Sequence, residues 1–293
     1  MFGKAGGGTR SEKRPLLETG GGKALFAALV LLVSCAAGWW FWKSRQPEHF
    51  YYRNMQMTAL DGVDRNFYDS QAFVQQENGW ITYETNGAKA LQGIDVSVYQ
   101  GDIDWQAVAD SGVEFAIIRA GYRGYSQGAI QGDANFQKNM EGALKAGLDV
   151  GVYFFSQATT VREAEEEADF VLEAIRNYPV TYPVVFDWEF IDGQSARTDE
   201  IEGEHMTECA KAFCELVAAG GYTPMVYFNQ EQGYLYYQLD QLDGFSFWLA
   251  EYDQKPDFFY DFEMWQYTHT GTVPGIEGSV DLNLAFRDFP ISS

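Results

Sequence analysis

From Gly93 to Phe286 the chain alternates between short apolar runs and longer amphipathic stretches. The runs are GIDVSVY (93–99), FAIIRAG (115–121), DVGVYFF (149–155), PVVFDWEF (183–190), PMVYFN (224–229), FSFWLAEY (245–252), EMWQY (263–267) and SVDLNLAF (279–286). Near-continuous apolarity rich in β-branched and aromatic residues is what a strand buried on both faces requires. Helical stretches lie between the first five. In 160–178, Val161, Ala164, Ala168, Val171, Leu172 and Ile175 fall on one face, while Glu163, Glu165, Glu166 and Glu167 read as the solvated face. The stretches 135–147 and 199–219 repeat the period and end at glycines. The last three runs follow one another with short connections. This pattern predicts an α/β fold, a parallel barrel of TIM type with helices lost late in the chain.

Upstream the pattern changes. Residues 24–42 contain no charge, and as a helix those 19 residues would extend roughly 28 Å, enough for a bilayer core. Trp39, Trp40, Phe41 and Trp42 close the run and Lys43 and Arg45 follow it, the order expected at a membrane interface. Residues 43–90 read as a stalk in which WITYET (80–85) and the turn pair Asn86-Gly87 predict a short hairpin. The expected organisation is thus a disordered cytoplasmic tail (1–23), a single-pass transmembrane anchor (24–42), the stalk (43–90) and an extracellular barrel (91–293). Leu32-Val33-Ser34-Cys35 also resembles a lipobox, which would make the chain a lipoprotein anchored through Cys35. Both versions tether the barrel outside the cell membrane.

Charge sharpens this division. The chain carries 20 basic and 42 acidic residues, but residues 1–43 hold six of the former and two of the latter. Beyond them stand 14 basic and 40 acidic side chains, a net of −26. Such a body cannot track a phosphate backbone, so nucleic acid is excluded as a partner. Its 16% aromatic content excludes disorder. Cys209 and Cys214 are five apart on a predicted helix, too far apart to be bridged. An exported domain without disulfides must rely on its own core, and a monomeric, full-sized fold is expected.

Three of the apolar runs are interrupted by four acids: Asp95, Asp187 with Glu189, and Asp281. A lone buried carboxylate is costly, so four of them on barrel strands call for a shared purpose at the barrel mouth. Asp187 and Glu189, two apart on a strand, point to one side with Cα atoms about 6.5 Å apart. Each raises the other's proton affinity, so one can stay protonated and serve as general acid while the other is ionised. That division of labour suits glycosidic bond cleavage. Tyr153, Phe155, Tyr227, Trp248, Tyr252 and Trp265 stand near these acids along the chain and are candidate surfaces for sugar rings. The three histidines, without HExxH or CxxC, give no zinc signature, and no cofactor is expected.

Taken in order, GIDVSVYQGDIDW, FAIIRAGY, VGVYFFSQA, VVFDWEF, FWLAEYD, MWQYT and VDLNLAF resemble glycoside hydrolase family 25, the Chalaropsis-type lysozymes. The resemblance covers about 93–286. It implies a (β/α)5(β)3 barrel that hydrolyses the β-1,4 bond from N-acetylmuramic acid to N-acetylglucosamine in bacterial peptidoglycan. It also implies that Glu189 is the general acid, with Asp95, Asp187 and Asp281 beside it. One departure stands out: where some members carry K-x-[ST]-E-G after the second strand, this chain has Arg119-Ala120-Gly121-Tyr122-Arg123, so the extra acid is missing. Two other functions compete, a catalytically silent wall-binding module on the same barrel and a hydrolase of another amino-sugar polymer such as chitin. Four retained acids argue against the first. The absence of a D-x-x-D-x-D-x-E run argues against the second.

Overall fold

The computed structural model describes residue 1 and residues 20–43, 48–85, 87–287 and 289. The chain divides into two units, residues 1–59 and 60–293. In the first unit, α1 (Gly20–Lys43) covers the expected anchor. Its described side chains, which run without interruption only from Ala24 to Ala36, are exposed. Among the described residues no helix is long and apolar enough to cross a membrane. The tail expected over 1–23 lies mostly outside the described residues. Within the expected stalk, β1 (His49–Tyr52) pairs antiparallel with β2 (Met55–Thr58).

Residues 60–90 do not behave as a stalk, because they pack on the barrel. β3 (Phe73–Gln75), β4 (Ile81–Thr85) and β5 (Ala88–Lys89) form a small antiparallel sheet. The hairpin expected after WITYET is present, with Thr85 opposite Ala88 and Gly87 at positive φ. Tyr68 stacks on Phe286 at 4.0 Å and its hydroxyl donates to the Phe262 carbonyl at 2.6 Å. Phe73 meets Trp265 edge-on at 5.2 Å. Buried aromatic pairs of this kind fix the sheet to the barrel wall.

The barrel strands are β6 (Leu91–Val96), β7 (Phe115–Arg123), β9 (Asp149–Ser156), β10 (Val184–Trp188), β11 (Pro224–Asn229), β12 (Ser246–Ala250), β13 (Met264–Gly271) and β14 (Val280–Ala285), while the short β8 (Ile130–Gly132) lies outside on β7. Pairing of β6 with both β7 and β14 closes the circle of eight. Helices α2 (Trp105–Asp110), α3 (Phe136–Lys145), α4 (Val161–Ile175), α5 (Gly203–Ala219) and α6 (Gln230–Leu235) follow the first five strands. One strand departs from the all-parallel expectation: β14 runs antiparallel to both its neighbours. The connection 272–279 is a hairpin loop, and a parallel return would need a crossover of a dozen or more residues.

Strand parity orders the interior. Phe115, Ile117, Val185, Met225, Met264 and Ala285 fill the lower barrel, and Phe115 stacks on Tyr182 at 4.5 Å. The fit is tight at Gly93, where a Cβ would come within 2.1 Å of the Phe115 ring. Helix α4 corrects one sequence expectation. Glu167 is fully buried rather than solvated, with Arg123 Nε donating to its Oε1 at 2.6 Å. It lies one turn from both Ala164 and Val171, hence on the packed face. Burial pushes its carboxyl up to about 7 against the pull of Arg123 and Ser156. Cys209 and Cys214 are buried and unbridged.

Candidate active site

Two residues above that apolar filling, the inward side chains become polar. Asp95 of β6 pairs in register with Asp281 of β14. In β10 the inward positions are Val185 and Asp187, and Glu189 follows on the same parity just past the strand end. The four acids therefore meet in one cavity of about 260 Å³, lined also by Arg119, Tyr153, Phe155, Tyr227, Trp248, Tyr252 and Gln266. Asp281 arrives by a different route from the others. It stands near the beginning of an antiparallel strand, which lies at the same mouth as the ends of the parallel ones.

Five of the six expected aromatic contacts line this cavity, and Trp265 does not. The inward positions of β13 are Met264 and Gln266, so Trp265 must face outward. There it packs on Phe73, and its Nε1 donates to the Glu251 carbonyl at 2.9 Å. The inward neighbour, Gln266, escaped the sequence reading together with Asn283 and Arg119. Each is a polar residue interrupting an apolar run at inward parity, the same signal that marked the acids.

Gln266 and Asn283 have a defined task. Gln266 Nε2 and Asn283 Nδ2 both donate to Asp95 Oδ2 at 2.8 Å. Gln266 Oε1 in turn accepts from the Tyr227 hydroxyl at 2.8 Å and from the Tyr252 hydroxyl. Trp248 Nε1 donates to Asn283 Oδ1 at 2.9 Å. Asp95 is thus locked in one orientation by amides whose own ends are fixed.

The segment carrying the acid pair is held at its backbone. β10 ends at Trp188, so the carbonyls of Trp188 and Glu189 need other donors. Gln232 Nε2 donates to the Trp188 carbonyl and Gln157 Nε2 to the Glu189 carbonyl, both at 2.7 Å. Thr198 Oγ1 donates to Gln157 Oε1 at 2.7 Å and fixes that amide in turn.

Electrostatics then set the protonation. Burial pushes Asp187 well above the usual carboxylate range, and repulsion from Glu189 and Asp95 adds to it. Burial also raises Glu189, although its hydrogen bond with Asp187 works the other way. Asp95 is raised by burial and by Asp281 against its two amide donors. Asp281, nearer solvent, is pushed up by burial to about 6 while His269 pulls it down. Asp187 Oδ1 is buried without a hydrogen-bond partner. The arrangement stores exchangeable protons beside ionised carboxylates in one cleft, as acid catalysis requires. Among the described residues no group of three or more His, Cys, Asp or Glu side chains could hold a metal ion.

Comparison with known proteins places the barrel. Residues 94–276 match the model of glycosyl hydrolases family 25. The autolytic lysozyme of Clostridium acetobutylicum is 29% identical over 198 residues, covering 66% of this chain and 55% of that protein. Lysozyme M1 of Streptomyces globisporus is 28% identical, covering 66% of this chain and 67% of the relative. The chain thus spans about half the length of the first of these relatives. A family 25 glycosyl hydrolase structure from Bacillus anthracis superposes with a TM-score of 0.58 at 26% identity, covering 71% of this chain and 93% of the other. A bacterial lysozyme from Streptomyces coelicolor gives 0.55 at 25%, covering 68% and 93%.

Proposed function

The chain belongs to family 25 of the glycosyl hydrolases, and on that premise we propose that it hydrolyses the β-1,4 bond from N-acetylmuramic acid to N-acetylglucosamine in peptidoglycan. The observation that carries this reading is the convergence of Asp95, Asp187, Glu189 and Asp281 on one cavity. Glu189, at the open end of its strand, delivers a proton to the leaving glycosidic oxygen. Burial holds that proton on Glu189, and the hydrogen bond with Asp187 keeps it from being held too tightly to be given up. Asp281, nearer solvent, presents negative charge to the positive character that develops at the anomeric carbon, and Asp95, held by two amides, stands beside it. Tyr153, Phe155, Tyr227, Trp248 and Tyr252 supply the ring surfaces and hydroxyls that orient the sugar. A module that only binds would gain nothing from acids whose protons are held by burial and mutual repulsion.

We infer further that the enzyme is tethered to the cell membrane with its barrel facing the wall. This rests on the sequence: residues 24–42 carry no charge and end in Trp39, Trp40, Phe41 and Trp42. Membrane fractionation tests the tether, and release of the whole chain as a soluble protein from intact cells contradicts it.

The activity is tested by digesting purified peptidoglycan with the full chain and identifying the new reducing ends by mass spectrometry. Muramic acid at the new ends is the expected result. Glucosamine at those ends, or none at all, refutes the proposal.

A further inference from the structure

Acceptors dominate the cavity. Four carboxyl groups and the oxygens of Gln266 and four tyrosines line it. The donors are mostly spent. Gln266 and Asn283 give theirs to Asp95, Tyr227 and Tyr252 give theirs to Gln266, and Trp248 gives its own to Asn283. Sugar hydroxyl and amide hydrogens therefore find partners in abundance, whereas a carbonyl or carboxylate of the substrate finds few.

Arg119 is the exception. It is on β7 at inward parity, lines the cavity, and is only 8% exposed. Its Nε donates to Asp133 Oδ2 at 2.8 Å. Asp133 is fixed in turn by the Val98 amide at 3.0 Å and the Asn135 amide at 2.9 Å. The guanidinium carbon lies 5.0 Å from the Tyr99 ring and 5.5 Å from the Tyr122 ring. Ion pair and rings hold the plane of the fork still, and among the described residues its two terminal nitrogens have no hydrogen-bond partner. A buried guanidinium with uncommitted N–H groups is costly unless something in the cavity accepts them. Tyr153, opposite Arg119 in the β7–β9 register, lines the same cavity, and among the described residues its hydroxyl also has no hydrogen-bond partner. At position 122, where some relatives of this fold carry an acid after the second strand, a tyrosine stacks on the fork instead.

We propose that Arg119, seconded by Tyr153, binds the carboxyl-derived oxygens of the lactyl group on the muramic acid residue and so selects that sugar over N-acetylglucosamine. The inference rests on the peptidoglycan reading above and names the substrate group that this corner of the site recognises. The lactyl group is what chemically separates the two alternating sugars. It presents a carbonyl when it carries a peptide and a carboxylate when it does not, and a planar two-donor fork satisfies either. A site built to hydrogen-bond such a group discriminates strongly against a sugar lacking it, because the buried donors are then left unpaired.

Binding to the full chain carrying Glu189→Gln, which removes turnover, is measured for two ligands. One is a tetrasaccharide of alternating N-acetylglucosamine and N-acetylmuramic acid; the other is chitotetraose. The muramoyl ligand is expected to bind at least about tenfold more tightly. Adding Arg119→Met should weaken it by about 10–100-fold while chitotetraose changes less than about twofold, so the preference disappears. Because Arg119→Met strands Asp133, the double change Arg119→Met with Asp133→Asn is measured alongside, and Tyr153→Phe should weaken the muramoyl ligand alone by a smaller factor. Equal losses on both ligands, in the double change and in Tyr153→Phe, would overturn the inference and place the fork on a group common to both sugars or on the fold. No loss on either ligand would overturn it too. If neither ligand binds while Arg119 is intact, the peptidoglycan reading itself fails and this inference falls with it.

Discussion

The lower and upper halves of the barrel interior are built from the same strands at the same parity, yet they do opposite things. Below, Phe115, Val185, Met225, Met264 and Ala285 form a dry, interlocked filling. Two residues further along the same strands stand Asp187, Tyr227 and Gln266, joined by Asp95 and Arg119. In β10 the change from filling to chemistry is the step from Val185 to Asp187, and in β13 the step from Met264 to Gln266. The lower half gains from burial, whereas the upper half spends stability to hold acids in protonation states they would not choose in water. A fold that separates these functions along each strand can keep its scaffold while the mouth stays under strain.

The largest expected effect lies in the upper half. Asp187→Asn should cut turnover by about 10²-fold, comparable to losing one stabilising group in a preorganised site. With the carboxyl hydrogen bond that holds Glu189 down removed, Glu189 should also titrate higher, so the alkaline limb of the rate profile moves up in pH. A pH–rate series on glycan checks both, and an unmoved limb would uncouple the two acids. In the lower half Met225→Ala should destabilise by about 2–5 kcal/mol through the cavity it leaves. Turnover per folded molecule should hold at low temperature. Denaturant melts with parallel rate assays distinguish the halves, and equal loss of rate in both would erase the division.

Stability should also depend on pH in a direction set by the mouth. Asp95, Asp187, Glu189 and Asp281 all have folded-state affinities for protons raised above those of the unfolded chain. Their favourable contribution is complete below the ordinary carboxylate range, near pH 4, and is lost as pH rises through the raised folded-state values, about 6 for Asp281. Glu167 adds to the same trend near pH 7. The melting temperature should therefore fall between pH 5 and 8, by the linkage of proton uptake to folding; a flat or rising profile would mean that the acids are not held as described.

Much of this division was legible in the sequence. The eight apolar runs became the eight barrel strands within a few residues at each end, because a strand buried on both faces leaves few alternative patterns. The four acids stood out because each broke such a run. Gln266, Asn283 and Arg119 broke runs in the same way but lacked the negative charge that drew notice. The outward turn of Trp265 needed the strand's parity, which Met264 and Gln266 settle only once the barrel is closed. The packing of residues 60–90 was hidden because it rests on single aromatics, Tyr68 and Phe73, reaching over 190 residues along the chain to Phe262, Trp265 and Phe286. No local period records a contact of that separation. The smallest expected effect follows from the parity of Trp265: Trp265→Phe should leave KM for glycan within about twofold and cost only stability, through lost packing on Phe73 and the lost hydrogen bond to the Glu251 carbonyl. A large rise in KM would return that ring to the substrate surface.

The mouth holds its protons for catalysis at the expense of the fold, and Glu189→Gln separates those two consequences in one variant. Gln keeps the shape of the side chain but removes both the transferable proton and a charge that burial disfavours. Turnover on peptidoglycan and melting temperature are measured together at pH 4 and pH 8. Turnover should fall by about 10²–10⁴-fold at any pH, with the variant melting above the parent at pH 8 and close to it at pH 4. A variant that retains near-parental turnover, or that melts below the parent at pH 8, would contradict this reading.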